Sequence, residues 1–216
     1  MKISIGTWLT IPDLRIAEIL CLSKLDWITI DIEHNSISYE QVENIIRIAN
    51  LYNKTVYVRI SSINEVDIKK ILDAGADGLI VPNVNSKEEV EKIINFAFYP
   101  PIGSRGVGLT RANNFGKNFD NYFLKKSKKI NVIVQIEHYE AVDNIEEILK
   151  NKNVSGFFIG PYDLSASLGI PGKFKSKLYK KYENKIKNFM KNKNIIKGVH
   201  IIETDLNEIK NKKNDG

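Results

Sequence analysis

The sequence predicts an α/β fold, a parallel (β/α)8-type barrel of the TIM kind, and two features of the chain carry that prediction. Short apolar runs alternate with amphipathic ones, in seven β-then-α units. The apolar runs are near-continuous instead of alternating, as strands buried on both faces are. Seven repeats of this kind point to a (β/α)8 barrel and not to an open sheet.

The elements follow in order. Lys2–Trp8 reads as the first strand, and Asp13–Lys24 as a helix with Pro12 suited to its first turn. Trp27–Ile32 is the second strand. Ser38-Tyr39-Glu40-Gln41 is a capping box, and the helix it opens has Val42, Ile45, Ile46 and Ala49 on one face. Thr55–Ile60 is a β-branched third strand. Asn64–Ala74 is a helix stopped by Gly75. Gly78–Pro82 is the fourth strand, and Ser86-Lys87-Glu88-Glu89 caps a helix reaching about Phe98.

The rhythm then breaks. Tyr99–Gly116, rich in Gly, Pro, Arg and Asn, reads as a long loop, and Phe119–Lys126 as a short helix. Asn131–Ile136 is the fifth strand and Ala141–Lys150 a helix. Val154–Gly160 is the sixth strand and Tyr179–Lys193 a charged helix. Ile195–Ile202 is the seventh strand, and Asp205–Lys213 the last helix. The expectation is one domain, 1–216, a barrel without its eighth strand and last helix in this chain. A longer chain would close the edge with an eighth strand and helix; if residues 1–216 are the whole product, the edge predicts cover by a partner subunit, and a homo-oligomer is expected.

Composition narrows the function classes. The 216 residues carry a net charge of +6, 43% hydrophobic and 27% charged residues, an ordinary soluble balance. The lysines fall on solvated helix faces without interleaved aromatics, so no nucleic-acid partner is expected. No apolar stretch approaches the roughly 18 residues of a membrane span, and no signal-peptide layout precedes the first strand. The single cysteine, Cys21, sits in an apolar run and suits a reducing, cytoplasmic setting.

Barrel chemistry sits at the C-terminal ends of strands. Strand one ends in Gly6-Thr7-Trp8, strand two in Asp31, Glu33 and His34, strand three in Arg59. Strand five ends in Gln135-Ile136-Glu137, and strand six in Gly160-Pro161-Tyr162-Asp163. Each tip also has a structural explanation. Asp163 could cap a short helix, Arg59 could satisfy Asp31 or Glu33, and Gln135 could bridge strands. A ring of buried acids without a cation would be costly, however. Glu137 and Asp163, on neighbouring strands, suit a hard divalent ion that keeps water or takes substrate oxygens: Mg²⁺ or Mn²⁺, with Co²⁺ a third option. His34 lies beside the acids. His138 and His200 have ordinary contexts.

These stretches, with Tyr99-Pro100-Pro101-Ile102-Gly103-Ser104-Arg105-Gly106 and Leu164–Gly169, resemble the HpcH/HpaI family of metal-dependent class II pyruvate aldolases. The resemblance runs from about residue 3 to the end. It implies a lyase that cleaves or forms 4-hydroxy-2-oxo acids through a pyruvate enolate, acting on pyruvate or an oxo acid plus an aldehyde. It implies that Glu137 and Asp163 bind the metal, that His34 is the catalytic base supported by Asp31, and that Arg59 contacts the oxo acid. By the same match Gln135 lies beside the metal, and Asp73 is an acid that reaches a neighbouring site in the oligomer. Trp8 and Tyr162 are further candidate substrate contacts. The backbone N–H groups near Tyr162 and Asp163 are suited to a substrate carboxylate, and the Leu109–Phe115 loop to the acceptor pocket. No lysine ends a strand, as a Schiff-base aldolase would require; Lys54 and Lys197 stand near strand starts. Two alternatives stay open: a related carbon–carbon lyase or citrate-forming enzyme on the same site, and a non-catalytic truncated barrel.

Overall fold

The computed structural model describes residues 3–190 and 195–201. The expected helix Asp205–Lys213 and the ends of the expected Tyr179–Lys193 and Ile195–Ile202 elements lie outside the described residues. The chain divides into two compact units, 1–81 with 91–132 and 82–90 with 133–216.

In the first unit, strands β1 (Gly6–Leu9), β2 (Trp27–Asp31), β3 (Thr55–Arg59) and β4 (Gly78–Val81) pair in parallel. The register sets Asp31 beside Arg59 at the strand ends. Helices α1 (Leu14–Leu22), α2 (Tyr39–Leu51) and α3 (Glu65–Asp73) connect them. Asp13 caps α1, so Pro12 precedes the cap instead of opening the helix. Ser38 and Gln41 close the expected reciprocal box on α2. Asn64 caps α3, and Gly75, at φ +96, ends it. The core is Ile28, Ile30, Val56, Val58, Leu79 and Val81 against Ile45, Ile46, Ile68 and Ile71, all at most 1% exposed.

Helix α4 (Lys87–Ala97) starts with Ser86 and Glu89 exchanging cap hydrogen bonds. Residues 99–116 are mostly irregular, with one 3-10 turn at Arg111–Asn113. The expected Phe119–Lys126 helix is a single α turn, Phe119–Asn121 (α5), followed by a wide π turn over Tyr122–Lys126.

In the second unit, β5 (Asn131–Ile136, whose first two residues belong to the first unit), β6 (Gly156–Ile159) and β7 (Ile196–Val199) pair in parallel. The single helix expected over Ala141–Lys150 is two: α6 (Tyr139–Asp143) and α7 (Ile145–Ile148). His138 caps α6 through Nδ1, starting it early, and Asn144 leaves helical geometry (φ −97, ψ 9) while its side chain bonds the Asn85 carbonyl at 2.9 Å. Helix α8 (Pro161–Ser167) is capped by Gly160, with Pro161 in its first turn, and α9 (Lys177–Met190) follows. Asp163 is therefore a first-turn acid of α8 and not its cap.

Candidate active site

In the first unit the candidate residues form one cluster at the ends of β1, β2 and β3. Arg59 donates Nε–H to Asp31 Oδ1 and Nη2–H to Oδ2, both at 2.8 Å. This is the two-point grip that a planar guanidinium gives a carboxylate. Its Nη1 lies 3.0 Å from Glu33 Oε2, and its Cζ stands 4.5 Å over the Trp8 ring. Asp31 also accepts from Asn35 Nδ2 at 2.8 Å and from the Glu33 backbone N–H at 3.2 Å. Burial pushes the Asp31 carboxyl up, but the Arg59 hydrogen bonds and charge outweigh it and hold the group below the usual aspartate range. The His34 imidazole is 65% exposed, and the carboxylate facing its Nε2 is Glu33, at 3.8 Å. Asp31, expected to support His34, accepts the backbone N–H of His34, while its side-chain partners are Arg59 and Asn35.

In the second unit Glu137 follows β5 and is 4% exposed. Its Oε1 accepts the Asn83 backbone N–H at 2.8 Å, and its Oε2 the Gln135 amide at 2.5 Å. A Cβ at Gly160 would fall 2.7 Å from Glu137 Oε2, so only glycine leaves this carboxylate its room. Asp163 is exposed in the first turn of α8. Tyr162 is 51% exposed, its ring edge-on to Phe174 at 5.0 Å.

A divalent cation is tested by this donor set. No group of three or more His, Cys, Asp and Glu side chains with metal-holding geometry occurs among the described residues. Glu137 and Asp163 would supply two carboxylates, leaving the other positions to water and substrate oxygens, which is how Mg²⁺ and Mn²⁺ are commonly held. Gln135 Oε1 is buried without a hydrogen bond, an acceptor beside Glu137 that a metal-bound water would satisfy. The residues fit a hard cation.

Asp73 stands elsewhere. It closes α3, and the chain turns at Gly75 into the start of β4, so Asp73 lies towards the strand-start end of its unit. There it pairs with Arg105 at 2.5 Å, a guanidinium with no exposed side-chain surface, packed 4.8 Å from the Tyr99 ring. Arg111 anchors the same loop to the Ala74 carbonyl at 2.8 Å. The 99–116 loop is thus docked on the end of α3, and Leu109 to Phe115 with it, away from Arg59 within this unit. Sequence reasoning placed Arg105 in a motif and gave it no partner. It also gave no role to Asn83, Asn35 or Gly160, because none carries chemistry by residue type. A Pro-Asn pair directly after a strand was the available signal for Asn83.

The model of the HpcH/HpaI aldolase/citrate lyase family matches residues 4–215. The chain belongs to this family. It is 39% identical over 169 residues to a hydroxypyruvate/pyruvate aldolase of Sagittula stellata, covering 78% of this chain and 66% of that protein. It is 36% identical over 169 residues to a 2-keto-3-deoxy-L-rhamnonate aldolase of Salmonella gallinarum, covering 77% and 63%. The chain spans just under two thirds of the length of these curated relatives. A solved HpcH/HpaI aldolase/citrate lyase family protein from Burkholderia cenocepacia superposes with a TM-score of 0.91 at 27% identity, over 99% of this chain and 84% of that one. The fold is the family's TIM-type (β/α) barrel, as the strand count predicts. No helix among the described residues is long and apolar enough to cross a membrane.

Proposed function

We propose that this protein is a metal-dependent carbon–carbon lyase that forms and cleaves 4-hydroxy-2-oxo acids, with pyruvate as the product of cleavage. The observation that carries the reading is the pair of strand-end clusters on a chain of this family: a gripped arginine with an adjacent imidazole, and a buried carboxylate cradled by N–H donors.

Glu137 and Asp163 would hold a Mg²⁺ or Mn²⁺ ion. When bound, the ion supplies Lewis-acid stabilisation of negative charge on the 2-oxo oxygen. Arg59 offers a permanent positive charge to the oxo acid, and Asp31, Glu33 and Trp8 fix its orientation. His34, exposed and able to swing, takes the proton of the C4 hydroxyl during cleavage and returns it in synthesis. Gln135 orients Glu137. Tyr162 flanks Asp163 as a substrate contact. The lysines near strand starts are tied to carbonyls, Lys54 to Ser23 and Leu25, Lys197 to Met190 at 2.7 Å, which agrees with chemistry that uses no Schiff base. Asp73 is assigned to a neighbouring copy's site in a homo-oligomer, since its own unit points it away from Arg59. A cytoplasmic setting agrees with the lone, buried Cys21.

The deciding experiment follows pyruvate release from 4-hydroxy-2-oxo acids and deuterium exchange into the pyruvate methyl group, with and without chelator. Both activities should need Mg²⁺ or Mn²⁺. Full activity in excess chelator rejects the reading. The family's aldolase/citrate lyase description keeps one second reading, citrate chemistry from oxaloacetate, and the same preparation assayed for citrate separates the two.

A further inference from the structure

We propose that the left-handed turn at Asn83 is a positioning device for the metal carboxylate Glu137. This inference rests on Glu137 being a metal ligand, as proposed above.

Four non-glycine residues have positive φ among the described ones: Asn53, Asn83, Asn114 and Phe115. Asn53 follows the end of α2, and its N–H bonds the Asn50 carbonyl at 3.2 Å. Asn114 closes the 3-10 turn and leads into Phe115. Asn53 and Asn114 serve to end helical turns, the ordinary use of the left-handed region, and the exposed Phe115 continues the turn after Asn114. Asn83, at φ +52, ends no helix. It follows β4 at Pro82, between two buried residues, Pro82 and Val84.

What the turn achieves is direction. It aims the Asn83 N–H at Glu137 Oε1, 54 residues on in the chain, at 2.8 Å. The Asn83 carbonyl accepts from Asn85 Nδ2 at 3.2 Å. The Asn85 N–H in turn bonds Glu89 at 2.6 Å, and its carbonyl takes Asn144 Nδ2 at 2.9 Å. The turn is therefore braced on both sides by α4 and the α6–α7 break. Gln135 Nε2 holds the other Glu137 oxygen, and Gly160 leaves the space in front of it open. Two N–H groups from different segments so fix the plane of one carboxylate. A fixed carboxylate plane presents its free lone pairs in one direction, as a metal ligand held by outer-shell partners does. Asparagine tolerates φ near +52 where a β-branched residue does not. A turn that merely linked β4 to α4 would not need to end on a metal ligand.

The test reads Mn²⁺ uptake by the metal-free protein, by calorimetric titration, alongside metal-free melting. Asn83→Gly keeps both the left-handed geometry and the N–H, and should bind Mn²⁺ within about twofold of the native chain. Asn83→Val cannot hold the turn and should bind about ten- to a hundredfold more weakly, the usual size for loss of an outer-shell partner. Asn83→Ala, milder in its strain, serves if the valine variant does not fold, and should weaken binding in the same direction. Equal Mn²⁺ affinity in the valine or alanine variant overturns the assignment while leaving the metal reading intact. A native chain that takes up no Mn²⁺ overturns both.

Discussion

Asp31 and Glu137 are both buried carboxylates at the ends of parallel strands, 3% and 4% exposed. Asp31 is met by a guanidinium at two points, with Glu33 and Trp8 completing the clasp around Arg59. Glu137 is met by a backbone N–H from Asn83 and a neutral amide from Gln135. An acid answered by a full charge is part of the scaffold: remove it and the half-buried Arg59 loses its two-point partner and keeps only Glu33. Two N–H dipoles on Glu137 suit the cation-holding role proposed above. Substitution should show whether similar burial serves different uses.

The largest effect is expected at Glu137. Glu137→Gln should cut metal-dependent turnover by at least about 10²-fold, yet leave metal-free stability within about 1 kcal/mol, since the amide avoids burying a charge. Kinetics with added Mn²⁺ and a urea melt of the metal-free protein check both halves. If that variant unfolds, Glu137 belongs with Asp31 as scaffold and the comparison breaks. His34→Ala should lower kcat by roughly 10²–10⁴ with pyruvate binding retained, because Arg59 keeps its clasp. Loss of pyruvate binding at an unchanged rate would move His34 from proton transfer to substrate recognition.

Asp31→Ala should instead destabilise, by about 3–5 kcal/mol, as removal of one partner from a buried pair does. A chemical denaturation curve measures it, and a cost near zero would show that Glu33 suffices for Arg59. The smallest effect is in acid. The folded Asp31 carboxyl lies below its unfolded value, so its contribution is fully present above about pH 4 and is lost as pH falls through the folded value. Asp31→Asn should flatten that acid limb of the stability–pH curve.

Much of the fold was legible along the chain. Both capping boxes, at Ser38 and Ser86, and the glycine stop at Gly75 appear where residue type demands them, because caps and stops are local chemistry within a turn or two. The near-continuous apolar runs of β4 and β5 fixed parallel burial for the same reason: a strand covered on both faces has no polar side to show. The strand ends that carry Arg59 and Glu137 were legible as strand ends, because the apolar runs stop where the polar residues begin. Where local signals compete, the reading slipped. The Ala141–Lys150 helix broke at Asn144, whose side chain reaches a carbonyl 59 residues away, and no window of ten residues contains that contact.

The choice of partner for each charged group was left to the tertiary structure. The sequence left Asp31 two roles, support for His34 or a partner for Arg59. Register in β2 and β3 made it the partner of Arg59, since facing residues on paired strands meet whatever their distance in the chain. It gave Arg105 no mate until the loop docked on α3 and found Asp73. It gave Asn83 no task until the turn after β4 met the end of β5. The sequence by itself determined the order of strands and helices and most of their caps, because propensity, capping and apolar period act over a few residues. That Asp31 meets the Arg59 guanidinium, and that the Asn83 N–H reaches Glu137, was decided only by the packing of distant segments, because an ionised group takes its character from neighbours within a few ångströms.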